Sequence, residues 1–351
     1  MRAVLCGYYG KGNGGDEALL ATLLQMLPAQ VKPLVLSGNP EETQLRYGVP
    51  ACDRFSASAV LQALRQSEAF IWGGGSLMQD VTSPMSPLYY GGVMRLAQQM
   101  GLRTIAWAQG IGPLNRSLTR WITRTSLQHC TAVSVRDGGS ASLVAEWGIP
   151  FILAPDPVWA LEPEPVPGLW DLPAPRIAIA LRPHPYLTSE RLHIFTKALI
   201  DFQKATQTFV LLIPFQPIQD LAIAQTLHAA LPDVSQILTL TQPRQLRGVF
   251  RGVEMVIAMR FHGLIMAAAA ECRCFAMNYD PKVRQLMQEL DFRGWAIDQM
   301  PSDPAVICRD WMELYANGSS LSSHQISAIV DRALIHREVL EKALVNSGAS
   351  G

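Results

Sequence analysis

Two basic side chains, Arg260 and His262, flank a short turn in the second half of the sequence. The turn follows residues 255–259, whose continuous apolar character is typical of a strand buried on both faces of a parallel sheet. The alanine-rich residues 264–270 favour a helix. A guanidinium, an imidazole and the free N–H groups of a helix N-terminus suit a small anion with several charges. The alternative is an arginine in a buried ion pair and a histidine packed in the core, and the turn by itself does not separate the two.

A glycine-rich loop lies between the first predicted strand, residues 2–6, and a helix predicted over residues 18–27. Its glycines include a set with the G-x-G-x-x-G spacing of a dinucleotide-binding loop, Gly10, Gly12 and Gly15. The next strand ends without the acid that would bind a ribose, and Lys11 is not followed by the Ser or Thr of a Walker loop. We therefore interpret the segment as a loop where the backbone comes close to a ligand. Asp16 is then either a base that faces a sugar hydroxyl or a helix-capping residue.

Three further predicted strands of the first half are followed by glycines or by charged residues. They cover residues 69–72, 104–108 and 132–135, and they are followed by Gly73–Ser76, Gln109–Gly110 and Arg136–Asp137. Because the carboxyl ends of parallel strands meet at one edge of a sheet, these loops predict the floor of a cleft. The candidate ligand-binding positions on this floor are Gly12, Gly14, Gly15, Gly74, Gly75 and Gln109. Asp137 is expected to pair with Arg136 and to cap the helix that follows.

Basic groups also occur near strand ends of the second half. Arg182 directly follows a strand predicted over residues 177–181. Lys282 begins a predicted helix, where a cation opposes the helix dipole and indicates an anion nearby. His184 lies between two prolines, and a packing role is an equal alternative for it.

One predicted helix of the first half carries three arginines one turn apart, Arg116, Arg120 and Arg124. A solvated face is the favoured interpretation. Contact with a lipid-linked phosphate or with an anionic membrane surface is the alternative.

The composition and the order of the elements predict an α/β protein with two domains. The chain has 351 residues and is 49% hydrophobic and 17% charged. Its 29 Lys and Arg balance its 29 Asp and Glu, so the protein lacks the positive net charge that would favour binding to nucleic acid. Seven prolines between Pro155 and Pro175 favour a semi-rigid linker. The predicted segments are an N-terminal domain (1–160), the proline-rich linker (161–175), a C-terminal domain (176–320), a C-terminal helix (321–346) and a disordered tail (347–351).

The six cysteines are scattered and show no zinc-binding spacing. Free thiols suit a reducing cytoplasm. The chain begins directly with a predicted strand rather than a secretory signal, and no apolar run approaches the roughly 20 residues that span a bilayer. We therefore expect a cytoplasmic protein without a metal or another cofactor. Peripheral contact with the inner face of the membrane is an alternative that the sequence leaves open.

Taken together, these motifs resemble the polysaccharide pyruvyl transferases, and within that family the bacterial cell-surface type called CsaB. The motifs that carry the resemblance, in order along nearly the whole chain, are Gly7–Glu17, Trp72–Ser76, Gln109–Pro113, Ser134–Asp137 and Met259–Gly263. The resemblance implies two Rossmann-like domains facing a cleft, as in GT-B glycosyltransferases. It also implies transfer of pyruvate from phosphoenolpyruvate to two hydroxyls of one sugar, which gives a cyclic ketal and releases phosphate.

The resemblance further implies roles for individual residues. The anion-binding Arg-x-His of the family corresponds to Arg260 and His262. The acid after the glycine loop corresponds to Asp16, and the basic residue of the Val-Arg-Asp motif corresponds to Arg136. The expected catalytic residues are therefore Asp16, His262 and Arg136, with Arg260 in donor binding.

Two more residues complete the expected donor site. Lys282 matches a family lysine after a Tyr-Asp-x-Lys segment, and Arg182 is added from its position at a strand end alone. The expected partners are phosphoenolpyruvate and a glycan acceptor that is lipid-linked, with acetylated mannosamine in a wall polymer as the usual family case. Several cations can supply charge-assisted hydrogen bonds to the carboxylate and the phosphate of this donor.

Three other function classes compete with this interpretation. A GT-B glycosyltransferase that uses a nucleotide sugar would share the architecture and the glycine loops. A non-catalytic anion-binding protein would bind the ligand without releasing phosphate. A nicotinamide oxidoreductase is disfavoured because the ribose-binding acid is missing.

Overall fold

Every strand in the described part of the computed structural model, residues 1–81 and 83–345, pairs in parallel with its neighbours. The chain divides into two units. The first unit is Met1–Leu161 joined by the chain from Ala328 onward, and the second is Glu162–Ser327. The tail predicted over residues 347–351 lies outside the described residues.

The strands of the first unit are β1 (Arg2–Cys6), β2 (Lys32–Ser37), β3 (Ala51–Asp53), β4 (Ala69–Met78), β5 (Arg103–Ile111), β6 (Ala132–Val135) and β7 (Ile152–Leu153). They form a seven-stranded sheet in the order β3-β2-β1-β4-β5-β6-β7. The helices that accompany it are α1 (Gly14–Met26), α2 (Pro40–Tyr47), α3 (Ala57–Arg65), α4 (Met85–Gln99), α5 (Ser117–Gln128) and α6 (Gly138–Glu146).

Strands β4 and β5 extend beyond the ends predicted from the sequence. The glycine segment that was expected to be a loop continues to pair, with Gly73 opposite Trp107 and Gly75 opposite Gln109. The pairing is irregular beyond Gly75, and Gly74 and Gly75 have φ angles of 77° and 92°. Because glycine tolerates these angles, the two strands can bend without separating. The correction is therefore that this part of the predicted cleft floor consists of irregular strand.

The strands of the second unit are β8 (Arg176–Ala180), β9 (Phe209–Leu212), β10 (Ser235–Ile237), β11 (Met255–Ala258), β12 (Arg273–Asn278) and β13 (Arg293–Ala296). They form a six-stranded sheet in the order β10-β9-β8-β11-β12-β13. Its helices are α7 (Ser189–Thr206), α8 (Pro217–Ala230), α9 (Pro243–Gly248), α10 (Phe261–Ala268), α11 (Pro281–Leu290) and α12 (Pro304–Asn317).

The strand order reverses once in each sheet. In the first sheet the chain leaves β1 towards β2 and β3, and then returns to place β4 on the other side of β1. In the second sheet β8 has β9 on one side and β11 on the other. Connections that diverge from two neighbouring strands leave a crevice at their carboxyl ends, where ligands of such sheets bind. The fold therefore marks β1 with β4, and β8 with β11, as the two edges to search for a site.

The C-terminal segment predicted as one helix over residues 321–346 is two helices, α13 (Ser323–Ala333) and α14 (Ile335–Leu344). At the break, the N–H of Arg337 donates to the carbonyl of Leu334 at 2.8 Å, a tight three-residue step. Helix α14 packs its apolar face into the core of the first unit. The buried residues that it contributes are Val339, Leu340, Ala343 and Leu344.

The proline-rich segment contains two short 3₁₀ turns, Pro157–Ala160 and Leu169–Asp171. In its middle, the N–H of Glu164 donates to the carbonyl of Arg244 at 2.9 Å, so this part packs on the second unit. Proline rigidity and the missing N–H donors explain why the segment forms neither a long helix nor a strand.

No helix among residues 1–81 and 83–345 is long and apolar enough to cross a membrane.

Candidate functional site

The glycine loop of the first unit is held in place by a buried carboxylate. Glu17 is 2% exposed and accepts from the backbone N–H of Gly10 at 2.8 Å and from the Tyr47 hydroxyl at 2.6 Å, with Arg46 at 3.4 Å. Burial raises the pKa of Glu17, and the contacts with Tyr47, Arg46 and Gly10 offset part of that rise. The role of Glu17 is therefore to tie the loop to α2.

The cap of α1 is Asn13 and not Asp16. The Asn13 side chain accepts from the N–H of Gly15 at 3.0 Å, while Asp16 lies in the first helical turn. A side chain on Gly75 would place its Cβ 3.2 Å from Oδ1 of Asp16, and one on Gly74 would lie 3.1 Å from the Leu19 side chain. The Asp16 carboxylate therefore lies directly against the glycine segment of β4, at the crevice between β1 and β4.

The other predicted glycines have smaller roles in shaping the loop. Gly12 has a φ angle of 65° in open surroundings, so its requirement is conformational. Gly14 and Gly15 form the first turn of α1, where Gly15 is buried and donates its N–H to the Asn13 side chain.

Arg136 forms a buried ion pair, although with a different partner from the one predicted. Its Nη1 lies 2.6 Å from Oδ2 of Asp156, and its Nη2 donates to the Ser76 hydroxyl at 3.2 Å. Asp137 instead caps α6 by accepting from the N–H of Ser140 at 2.7 Å, as predicted. The expected pairing with Asp137 is wrong because a residue in the capping position points its carboxylate into the first helical turn. Arg136 thus connects Asp156 to the end of the glycine segment of β4.

Gln109 is fully buried within the sheet. Its amide donates to the carbonyls of Trp72 at 3.3 Å and Trp107 at 2.9 Å, so the side chain bridges β4 and β5. Its Oε1 has no hydrogen-bond partner among the described residues. The preceding Ala108 has a φ angle of 49°, which is rare for a residue with a side chain. Strained backbone of this kind clusters at functional sites, and here it lies beside Gln109.

Sequence reasoning missed Arg54, which follows β3. This side chain is 6% exposed and donates to the carbonyl of Gly7 at 2.7 Å and to the Tyr90 hydroxyl at 3.0 Å. It therefore fixes the backbone at the start of the glycine loop through its hydrogen bond with Gly7. The only available signal was its position at a strand end, because its partners lie on other elements.

In the second unit, Arg260 has the buried ion pair that the sequence left open as an alternative. Its guanidinium is bound in fork geometry by the carboxylate of Asp220 on α8, through Nε at 3.0 Å and through Nη2. Asp220 is 1% exposed and also accepts from the N–H of Gln216 at 2.9 Å. Nη1 is the part of the guanidinium outside this fork. Arg260 is consequently oriented by an internal acid at the end of β11.

Arg182 lies at the carboxyl end of β8, beside aromatic side chains. Its Nη1 donates to the Tyr279 hydroxyl at 3.2 Å, and its guanidinium lies 5.1 Å from the centre of that ring. The His184 ring is 5.4 Å from Tyr279 and 5.3 Å from Tyr186. Burial and the charge of Arg182 lower the pKa of His184. The crevice between β8 and β11 thus has a cation held on one wall by a tyrosine from the end of β12.

Lys282 and His262 approach the same edge from two helices. Lys282 lies in the first turn of α11, 3.6 Å from the carboxylate of Asp280 and 5.8 Å from the Phe261 ring. His262 lies in the first turn of α10, with its ring centre 5.2 Å from that of Phe261. The structure therefore brings Arg182, Lys282 and His262 to the carboxyl edge of β8, β11 and β12, with Arg260 buried beneath them.

Each unit thus presents a different chemistry at its edge. The first has a carboxylate against a glycine segment, suited to accept a proton from a hydroxyl. The second has cations and helix N-termini, suited to bind an anion. No group of three or more His, Cys, Asp or Glu side chains that could hold a metal ion occurs within residues 1–81 and 83–345.

The two parallel α/β units define the fold of GT-B enzymes. Solved structures with this fold include a putative UDP-N-acetylglucosamine 2-epimerase from Listeria monocytogenes, with a TM-score of 0.67, 9% identity, and coverage of 99% of this chain and 97% of that chain. Another is a glycosyltransferase from Rickettsia africae ESF-5, with a TM-score of 0.59, 12% identity and 99% coverage of both chains. The UDP-GlcNAc 2-epimerase from Neisseria meningitidis bound to UDP-GlcNAc has a TM-score of 0.64, 8% identity, and coverage of 97% of this chain and 100% of that chain. At such identities the likeness establishes the fold alone.

The chain belongs to the polysaccharide pyruvyl transferase family, whose sequence pattern matches residues 13–281. The protein is therefore an enzyme of a polysaccharide-modifying class, which confirms the family predicted from the motifs. No curated protein sequence matches the chain.

Proposed function

We propose that this protein transfers pyruvate from phosphoenolpyruvate to two hydroxyls of one sugar in a cell-surface polysaccharide precursor, as a CsaB-type enzyme. The products are a cyclic ketal and inorganic phosphate. The observation that carries the donor assignment is the gathering of Arg182, Lys282 and His262 at the carboxyl edge of β8, β11 and β12. Family membership supports the pyruvyl transfer itself.

The donor requires two separate anion contacts, because it carries a carboxylate and a phosphate. Arg182 and Lys282 supply charge, and the first turn of α10 supplies N–H groups. Arg260 contributes through the part of its guanidinium outside the fork with Asp220, and this fork fixes its direction. His262 then either protonates the vinyl carbon of the donor or neutralises the departing phosphate; an imidazole suits both tasks.

The acceptor requires a base, and Asp16 is the proposed one. Its carboxylate lies against the glycine segment of β4, with Oδ1 3.2 Å from the position that a Cβ on Gly75 would occupy. The first sugar hydroxyl attacks the former C2 of phosphoenolpyruvate after protonation of its CH₂ group, and Asp16 accepts the hydroxyl proton. Loss of phosphate with its electron pair regenerates an oxocarbenium centre. The second hydroxyl attacks that centre and closes the ketal while its proton passes to the departed phosphate, so that no oxidant or reductant is needed.

Arg136 is proposed to act on the acceptor side as a cation in a low-dielectric site. Its pairing with Asp156 holds the guanidinium at Ser76, next to the glycine segment. A hydroxyl or acetamido group of the sugar that replaces the Ser76 contact would receive a charge-assisted hydrogen bond. The glycan is proposed to be lipid-linked, in a cell-wall or S-layer-anchoring polymer, with the enzyme acting in the cytoplasm.

The decisive experiment measures phosphate release from phosphoenolpyruvate in the presence of free and lipid-linked amino-sugar glycans. We expect release only with a competent acceptor, together with a product whose mass exceeds the acceptor by pyruvate less one water. Binding of a UDP-sugar without binding of phosphoenolpyruvate would instead favour the nucleotide-sugar glycosyltransferase. Donor binding with no turnover on any glycan would favour a non-catalytic anion-binding protein.

A further inference from the structure

Large apolar side chains are exposed where helices α4 and α5 begin. We call this surface the α4–α5 tip. The exposed fractions of its residues are 62% for Val81, 65% for Met85, 37% for Leu88, 57% for Leu118 and 62% for Trp121. A group of this size on a protein surface commonly marks a contact with another molecule.

The two helices run side by side in the same direction, so these residues share one end. A Cβ on Gly91 of α4 would lie 2.3 Å from Ile122 of α5, and further along Gln98 donates to the carbonyl of Ser126 at 2.8 Å. The loop before α4 is fixed at the same end by Asp80. Its carboxylate accepts from the N–H groups of Asn115 and Arg116, each at 2.9 Å. Val81 is therefore positioned beside the start of α5.

Helix α5 buries hydroxyl groups and exposes large apolar side chains. Its inward face carries Thr119, Thr123 and Ser126 together with the apolar Leu127, all at most 3% exposed, whereas Leu118 and Trp121 point outward. The buried hydroxyls have internal partners: Thr119 donates to Asp80 at 2.6 Å, and Thr123 donates to the carbonyl of Thr119 at 2.7 Å. Because Leu118 and Trp121 are not buried in the core, packing within the chain does not explain why large apolar residues occupy these positions.

Arginines lie beside the tip. Arg116 directly precedes α5, and Arg120 and Arg124 lie on it. Of the three arginines on or next to α5, Arg120 pairs with Glu146 at 2.7 Å, while Arg116 and Arg124 are exposed. The apolar tip is thus bordered by positive charge.

We propose that the α4–α5 tip docks on an anionic phospholipid surface. Leu118, Met85 and the neighbouring apolar side chains enter the interface, where the indole of Trp121 has its preferred position, and Arg116 and Arg124 contact anionic headgroups. A second copy of the chain is a poorer occupant, since a twofold contact would bring the same arginines together. The inference rests on this surface and not on the proposed reaction, although docking would place a lipid-linked acceptor within reach.

The test is sedimentation of the full-length protein with vesicles of phosphatidylcholine alone or mixed with phosphatidylglycerol. We expect binding to the mixed vesicles only, and a decrease as salt rises. The double substitution R116Q/R124Q should weaken binding by roughly 25-fold, because each arginine near such a surface contributes about fivefold. Trp121→Ala should weaken it by about tenfold, since it removes the largest apolar side chain of the tip.

Matched controls are available on the same chain. Trp170→Ala removes another tryptophan, which is 68% exposed in the second unit, and R65Q/R309Q removes two exposed arginines elsewhere. Both should bind vesicles as the unsubstituted protein does.

Absence of binding to anionic vesicles, or equal losses in the controls and the tip variants, would overturn the proposal. Self-association that depends on Trp121, measured by analytical ultracentrifugation, would overturn it in favour of a second copy. Phosphate release with a water-soluble acceptor should be unchanged in Trp121→Ala, so a failure of docking is distinguishable from a failure of the proposed reaction.

Discussion

Replacing His336 by glutamine should reduce the pH dependence of the stability of the first unit. His336 is completely buried on α14. Its Nε2 lies 3.0 Å from the carbonyl of Pro155 and must donate to it, so Nδ1 accepts from the Ser134 hydroxyl at 3.0 Å. Ser134 in turn accepts from the N–H of Ala108 at 2.8 Å. The neutral ring therefore satisfies both neighbours, and a second proton on Nδ1 would oppose the Ser134 donor.

The magnitude follows from the pKa of this ring. Burial, only partly offset by Asp156 and by backbone hydrogen bonds, lowers the pKa of His336 to about 4. A free histidine has a pKa of about 6.5, so the difference corresponds to about 3 kcal/mol. Between these values the unfolded chain binds a proton that the folded chain does not bind. The stabilisation is therefore fully present above pH 6.5 and is lost as the pH falls through about 4.

The assay is urea unfolding at several pH values, followed by hydrogen exchange of peptides from β4 and β5, because two units need not unfold together. Glutamine retains an N–H donor for the Pro155 carbonyl and cannot titrate. The free energy of unfolding of His336→Gln should therefore fall by about 3 kcal/mol less than that of the unsubstituted protein between neutral pH and about pH 4. His129→Gln, at an exposed position of the same unit, is the control. Parallel pH profiles for the unsubstituted protein and His336→Gln would refute the reasoning.

The remaining predictions concern the two edges. Asp16→Asn should leave the affinity for phosphoenolpyruvate unchanged and slow turnover by about 100-fold or more, because it removes only the proposed base; equal loss of donor affinity in a binding assay would point to a structural role. Arg182→Gln should weaken donor binding by about tenfold through loss of a charged hydrogen bond, whereas Arg284→Gln, at an exposed position of the same unit, should not; calorimetric titration compares them, and equal affinities would exclude Arg182 from the donor site. Arg260→Ala should destabilise the second unit by about 3–5 kcal/mol, because it leaves the buried Asp220 carboxylate without its cation. The double substitution with Asp220→Ala should recover part of this loss in urea unfolding, and no recovery would contradict the assignment of the ion pair.

Much of the fold could be predicted because strands of parallel sheets are apolar at every position. Residues 132–135 and 255–259, predicted as strands, are β6 (Ala132–Val135) and β11 (Met255–Ala258). The predicted loop after Trp72 was wrong because a run of glycines normally ends a strand. Here the positive φ angles of Gly74 and Gly75 allow continued pairing with β5, a property of two strands together.

The candidate site could be predicted in position but not in contacts. That Arg136 and Arg260 lie at strand ends followed from the pattern of apolar runs. Their partners did not, since Asp156 and Asp220 are 20 and 40 residues away along the chain. Ion pairs over such separations depend on how distant elements pack against one another, which the local sequence pattern does not specify.

The sequence by itself determined the two α/β units, the glycine loop with Asp16, and the placement of basic groups at strand ends, because these depend on local periodicity and on the direction of parallel strands. Only the tertiary structure decided which arginines pair with buried carboxylates. It also decided that α14 packs on the first unit, where His336 is buried and linked to Ala108 through Ser134. It also decided that α5 turns its threonines inward and its tryptophan outward. The physical reason is that burial and pairing of polar groups are set by neighbours distant in the chain, and these neighbours are defined only once the elements pack.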